Sequence, residues 1–376
     1  MTGSSKQQRQ INILVVDDSA FMRKALSMML ESDPDIKVIG TARDGAEGVE
    51  KVKLLKPDLV TMDIEMPHMD GLTALKEIMA GSNPVPVMMV SSLTTDGAQA
   101  TLDALEMGAV DFIPKQLSYV SLDIVKIKEE LVAKIKDIVR RKHLLMARFR
   151  QQRFARISQA KPQRGVSDDQ VKPVGPRVPA RPIRKRHHRI SLVGIGSSTG
   201  GPPALQSIIP RLPRNLPVPV IIAQHMPPMF TKSLAERLDA LSPLSVREAY
   251  DGEPAEPGTV LVAPGGKHMT IKKRGNKARV VVSTYPSDAL YHPCVDILMN
   301  SVADGYGGAA MGVILTGMGN NGVKGLKNLK SRGGIIIAQN EETCVVYGMP
   351  RAAVEAQVAD HVVPLDDIAS EIVSYF

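Results

Sequence analysis

Short apolar runs rich in branched residues recur along this chain, and stretches with helical spacing lie between them. That alternation narrows the fold more than any other feature, because strands alternating with helices of about ten residues specify a parallel sheet wrapped by helices. The runs begin with INILVV at 11–16 and continue at Ile36–Ile39, Leu59–Met62, Val85–Val90 and Val110–Ile113. Helical patterns at Ala20–Leu30, Gly45–Leu55 and Gly71–Met79 separate them. Near-continuous apolar strands fit burial on both faces. A last stripe begins near Leu122, with Ile124, Ile127, Leu131, Ile135 and Ile138 at spacings of three and four. From Arg189 the alternation resumes in ISLVGIG, VPVIIAQ, TVLVAP, ARVVVS, GVILTG and GIIIAQ, with helical segments at Pro203–Ile209, Thr231–Leu241 and Val295–Ala303. The reading is α/β: two doubly wound, mostly parallel-sheet domains joined by a linker. Their expected bounds are 11–140 and 189–376, after a disordered N-terminus over 1–10.

The formal net charge of +8 suggests nucleic acid until the charge is located. Residues 141–189 hold 15 Lys or Arg against Asp168 and Asp169, so this stretch is +13 and the remainder −5. The basic character belongs to one segment and not to a domain face, which argues against a nucleic-acid partner. Pro162, Pro173, Pro176, Pro179 and Pro182 fall in the same segment, so 141–188 reads as a basic, proline-bearing linker. No stretch reaches the ~18 apolar residues of a membrane span. The first ten residues lack the apolar core of a signal peptide. Cys294 and Cys344 are too few for a disulfide framework or a four-ligand zinc site, so a reduced, cytoplasmic protein is expected.

In the first domain, polar residues fall at the ends of the apolar runs. Asp17 and Asp18 follow the first, Asp63 the third, Ser91 the fourth and Lys115 the fifth. Open α/β sheets bind ligands at the carboxyl ends of their strands, so all five should share one rim. Three carboxylates repel unless a cation joins them, and hard oxygen ligands suit Mg²⁺. A lysine and a hydroxyl can then hold a phosphoryl group on a carboxylate nucleophile. With these residues in place, residues 11–125 resemble a response-regulator receiver domain, a flavodoxin-like fold. The resemblance implies that Asp63 takes phosphate from a histidine kinase, with Asp17 and Asp18 as the further Mg²⁺-binding acids. It makes Ser91 and Lys115 the groups that sense the phosphoryl group and Phe112 the aromatic switch. Gln116 stands where a proline often follows the lysine.

In the second domain, ISLVGIG runs into Gly196-Ser197-Ser198-Thr199-Gly200-Gly201, and Pro202 and Pro203 open a helix. This contains G-x-S-x-G, in which glycines permit a sharp turn that lifts the serine above the sheet. Free N–H groups at the helix start suit a developing oxyanion. The alternative is a glycine loop for phosphate, although the G-x-G-x-x-G and Walker spacings are missing. A nucleophilic serine needs a base. His225 ends the neighbouring apolar run, while His268 and His292 are the other candidates. The loop that follows GVILTG contains no acid to complete a triad.

Residues 190–370 resemble the catalytic domain of chemotaxis protein-glutamate methylesterases, an α/β serine-esterase domain. The stretches that carry this are GSSTGG at 196, QHMPPMF at 224, APGGKHM at 263, VILTGMGNNG at 313 and IAQNEETCVVYGMP at 337. The resemblance implies Ser198 as nucleophile, His225 as its base, and Thr199 and Met318 near the oxyanion and orienting groups. It departs at one place: Asn321 stands where the family has the triad aspartate. An amide oxygen can accept the imidazole N–H without a full charge, and a turned amide would favour the wrong tautomer.

The implied function is phosphorylation-activated hydrolysis of glutamate γ-methyl esters on chemoreceptors, with glutamine deamidation as a second reaction of the same acyl step. The implied partners are methyl-accepting chemoreceptors and the kinase. Mg²⁺ belongs to the receiver, and the esterase chemistry needs no cofactor. Asn321 leaves open a second reading, a catalytically impaired response regulator that binds receptors. Asp296 and Asp304 are acids that could stand in for the missing charge.

Overall fold

A computed structural model describes residues 10–115, 123–159, 190–275 and 277–376. Residues 1–9 of the expected N-terminal tail, Gln116, and residues 160–188 of the expected linker lie outside the described residues.

The first domain alternates β1 (Ile11–Val16), α1 (Ala20–Glu31), β2 (Ile36–Ala42), α2 (Gly45–Leu55), β3 (Leu59–Asp63), α3 (Gly71–Ala80), β4 (Val87–Ser91), α4 (Thr95–Met107), β5 (Asp111–Pro114) and α5 (Asp123–Arg140). Each of the first four helices starts on a residue whose side chain accepts a backbone N–H of the first turn. These caps are Ser19, Asp44, Asp70 and Thr94. Such caps are each worth about 1 kcal/mol. The five strands are parallel in the order β2-β1-β3-β4-β5. The order reverses at β1/β3, so a crevice opens there beyond the carboxyl ends.

The chain then forms α6 (Lys142–Gln159). A helix thus occupies the first third of the stretch read as linker. Leu145 and Met146 are buried on one face of it. Among the described residues, cations of this helix meet partners: Lys142 Nζ lies 3.0 Å from the Pro57 carbonyl and 3.2 Å from Asp58. Arg148 donates to the Thr343 carbonyl of the second domain. The basic composition hid the buried Leu145 and Met146 and these tertiary contacts.

The second domain contains β6 (Leu192–Ser197), α7 (Gly201–Ile208), β7 (Val220–Gln224), α8 (Phe230–Leu241), β8 (Ser245–Glu248) and β9 (Thr259–Val262). It continues with β10 (His268–Arg274), β11 (Lys277–Ser283), α9 (Val295–Tyr306), β12 (Ala310–Ile314), α10 (Val323–Ser331), β13 (Ile335–Gln339), α11 (Met349–Glu355), β14 (His361–Val363) and α12 (Leu365–Val373). Seven parallel strands run in the order β14-β13-β12-β6-β7-β9-β8, and β10 and β11 form a separate antiparallel pair. The run ARVVVS therefore belongs to a hairpin beside the sheet. From β6 the chain first builds outward through β7 and later returns to lay β12 on the other side, so the switch point lies between β6 and β12. Among the described residues no helix is long and apolar enough to cross a membrane.

Candidate active site

Two rims carry chemistry. On the first, Asp17, Asp18 and Asp63 bring carboxylate oxygens within 4.8 Å of one another. Lys115 Nζ lies 2.6 Å from Asp63 Oδ2 and 3.7 Å from Asp17 Oδ2. Asp17 and Asp63 are buried, and Asp17 Oδ2 has no hydrogen-bond partner. Burial pushes the Asp63 carboxyl up to about 6; repulsion from Asp17 adds to it, and the Lys115 hydrogen bond opposes it. An orphaned buried carboxylate oxygen beside two more acids is the donor set a hard divalent cation would satisfy. Ser91 faces elsewhere: its hydroxyl donates to the Gly97 carbonyl at 3.1 Å and accepts from Thr101 at 2.8 Å. Phe112 is buried, and its ring stacks on Phe230 of the second domain at 4.7 Å.

On the second rim, β6 delivers Ser198, β7 delivers His225, and the loop after β12 delivers Asn321. The paired strands end level, with Ser197 opposite Gln224 and Ile314 opposite Gly196. The turn after Ser198 depends on glycine. Gly200 takes φ +75°, and a Cβ on Gly201 would sit 1.9 Å from Gln224 Oε1. Ser198 itself is not in the left-handed region. Gln224 organises the backbone beneath it, accepting from Ser197 Oγ at 2.6 Å and donating to the Ser198 carbonyl at 2.9 Å.

His225 Nε2 lies 3.0 Å from Asn321 Oδ1. Its Nδ1 is buried and has no hydrogen-bond partner among the described residues. The Tyr291 ring stacks on the imidazole with centroids 4.1 Å apart. Burial lowers the imidazole pKa to about 4 against the supporting Asn321 hydrogen bond, and the Lys134 charge lowers it further. The ring is therefore neutral at pH 7 and able to accept a proton. Thr199 Oγ1 donates to Asp111 Oδ2 at 2.9 Å, across the domain boundary, and Lys134 Nζ lies 3.1 Å from the same oxygen. Met318 packs with Val345 and Val346 against the cluster that holds Leu131, Ile135 and Ile138 of α5. His268 and His292 stack on each other, and His268 Nε2 lies 3.0 Å from the Pro286 carbonyl. Asp304 pairs with Arg332.

Sequence reasoning missed Gln224, Tyr291, Asp111 and Lys134. Asp111 and Gln224 carried a weak signal, since both sit at strand ends beside residues already singled out. Tyr291 and Lys134 carried none, being in a loop and on a helix distant in the chain.

Two family models match the chain: the response regulator receiver domain over residues 13–124 and the CheB methylesterase over residues 193–372. A protein-glutamate methylesterase/protein-glutamine glutaminase of Nitratidesulfovibrio vulgaris is 52% identical, with 97% of this chain and 99% of that protein covered. Relatives of the same description from Oleidesulfovibrio alaskensis and Lawsonia intracellularis are 49% and 47% identical. Those alignments cover 97% and 96% of this chain, and 99% and 98% of theirs.

Proposed function

The chain belongs to the protein-glutamate methylesterase/protein-glutamine glutaminase family, and on that premise we propose how its own residues perform and regulate the hydrolysis. The Ser198 hydroxyl attacks the γ-carbonyl of a methylated receptor glutamate while His225 Nδ1 takes its proton. The Ser198 N–H already donates to the Thr316 carbonyl, so the amides of Thr199 and Gly200, at the start of α7, stabilise the oxyanion. The carbon–oxygen bond of the ester breaks, and methanol leaves with the proton from His225. Water then loses a proton to the same nitrogen, attacks the acyl-serine, and releases glutamate and free Ser198. A glutamine side chain follows the same course with ammonia as the leaving group. The observation that carries this reading is His225: its backbone N–H donates to the Ser197 carbonyl beside the nucleophile, its Nε2 is anchored on Asn321, and its Nδ1 has no partner among the described residues.

The receiver holds this site closed until Asp63 is phosphorylated. Asp17, Asp18 and Asp63 would hold Mg²⁺, whose charge would offset that of an incoming phosphoryl group. Three contacts support the closure. Asp111 takes the hydroxyl of Thr199, next to the nucleophile. Phe112 stacks on Phe230. Arg237 pairs with Asp103 and Glu106 of α4. Ser198 is 9% exposed in this arrangement. Phosphorylation at Asp63 would draw Ser91 and Lys115 toward the phosphoryl oxygens, and the neighbouring Phe112 would release its partner ring. A chemotaxis histidine kinase supplies the phosphoryl group, and methyl-accepting receptors supply the ester.

Methanol release from methylated receptor tests the proposal. The full chain should turn over faster with a small phosphodonor and Mg²⁺ than without. Ser198→Ala should lower kcat by at least about 10⁴-fold. Full turnover in Ser198→Ala would sink the serine assignment, and a rate indifferent to phosphodonor would sink the closure. A protein that bound receptor but released no methanol in any state would be the impaired regulator instead.

A further inference from the structure

Asn321 would be a poor triad member if its amide were free to turn, and the residues behind it prevent that. Its Oδ1 accepts the Val295 backbone N–H at 2.7 Å. Its Nδ2 donates to Asp296 Oδ2 at 3.1 Å and lies 3.2 Å from Cys294 Sγ. A backbone N–H can only donate and an ionised carboxylate can only accept, so turning the amide over would set donor against donor and acceptor against acceptor. The amide thus has one orientation. Oδ1 faces His225, where an oxygen that only accepts requires the proton on Nε2. Nδ1 is left unprotonated and without a partner among the described residues.

Resting on the esterase reading above, we infer that Asp296 is a positioning residue for catalysis: it locks the Asn321 amide, fixes the His225 tautomer, and supplies through that amide the negative charge a neutral triad lacks. The sequence Asp296–Asn321–His225 is an extended triad with its charge one residue farther from the base. Asp296 is itself held, because its other oxygen, Oδ1, accepts the Gly325 N–H of α10 at 3.0 Å. When His225 takes the serine proton, the new imidazolium polarises the Asn321 amide, and the Asp296 carboxylate stabilises the polarised form. No proton needs to leave His225 toward Asn321.

The test is a cycle in the full chain activated by phosphodonor and Mg²⁺, made of Asp296→Leu, Asn321→Asp and the double variant. Asp296→Leu alone should lower kcat for methanol release by roughly 10–100-fold, less than the ~10⁴-fold of a triad aspartate itself made an amide. KM should move less than about twofold, because Asp296 lies behind the site and away from the receptor. In the Asn321→Asp chain a carboxylate needs no orienting, so adding Asp296→Leu should cost less than about threefold. A purely structural role, tying α9 to α10 through Gly325, would cost the same in both chains and would overturn the inference. The ¹⁵N shifts of the His225 ring give a readout without turnover. They should report the Nε2–H tautomer in the native chain and a mixture in Asp296→Leu, and an unchanged tautomer would also overturn it. Asp296→Asn keeps the shape of the site and serves if the leucine variant does not fold; it should lose about tenfold. If no chain hydrolyses ester, the esterase reading has failed, while the ring shifts still decide the role of Asp296.

Discussion

The two rims solve opposite electrostatic problems with the same architecture. Each lies at the carboxyl ends of parallel strands, beside the place where the strand order reverses. The first concentrates charge: three carboxylates within 4.8 Å and a lysine 2.6 Å from one of them. The second uses neutral groups of its own, a hydroxyl, an imidazole and an amide; the acid behind Asn321 is one hydrogen bond farther back, and the Asp111–Lys134 ion pair beside Thr199 comes from the first domain. Phosphoryl chemistry needs strong fixed fields that a cation can balance. Ester hydrolysis needs a base that is neutral at rest and becomes charged only during attack. Burial serves both, raising Asp63 to about 6 and lowering His225 to about 4.

Removing one charge from the first rim should have the largest effect. Asp63→Asn should abolish base-labile labelling by a small phosphodonor, together with the stimulation of methanol release. Undiminished labelling in that variant would place the phosphoryl group elsewhere. Adding one charge to the second rim should act in the opposite direction. Asn321→Asp should raise kcat by about 10–100-fold, less than the ~10⁴ separating Asp from Asn in a serine-protease triad, because Asp296 already supplies part of that charge. A variant no faster than the native chain would show that charge at 321 does not limit the reaction.

The boundary between the rims should respond more modestly. Arg237 is held by Asp103 and Glu106, and partly exposed ion pairs contribute about 0.2–1 kcal/mol each. Arg237→Ala should raise methanol release by the unphosphorylated chain by about two- to fivefold and leave the phosphorylated rate alone. An unchanged basal rate would remove this pair from the closure. The subtlest effect is on His225. Undocking the receiver removes Lys134 and admits water, so both influences that lower the imidazole pKa weaken. The ring should titrate near 4 in the resting chain and closer to its ordinary ~6.5 after phosphorylation, as NMR titration would record. The sign for stability follows: a depressed folded pKa contributes stability above about 6.5 that is lost as pH falls toward 4. A ring that titrated identically in both states would separate the receiver from the base.

Much of this was legible before the fold. Asp17, Asp63, Ser91, Lys115, Ser198 and His225 are each adjacent to an apolar run, and a parallel sheet gathers such ends at one rim. The helix over 142–159 was harder to see, because two buried apolar side chains sit among cations whose partners are remote. Asp296 was visible as an acid that could stand in for the missing charge, but not as the residue behind the Asn321 amide. Its partner Asn321 is 25 residues away, and helical or strand periodicity says nothing about a side chain reaching between α9 and the loop after β12.

The sequence by itself determined the two α/β domains, the acids of the first rim and the serine and histidine of the second, because alternating apolar runs fix the strands and the strands fix which residues end them. Only the tertiary structure decided how the Asn321 amide is oriented and how the domains touch. Hydrogen-bond direction settled the first: Val295 and Asp296 together leave the Asn321 amide a single orientation. The second required contacts between residues more than a hundred positions apart in the chain, such as Phe112 on Phe230 and Arg237 on Glu106. Local periodicity carries no information over such separations, because these pairings arise from the way two finished surfaces meet.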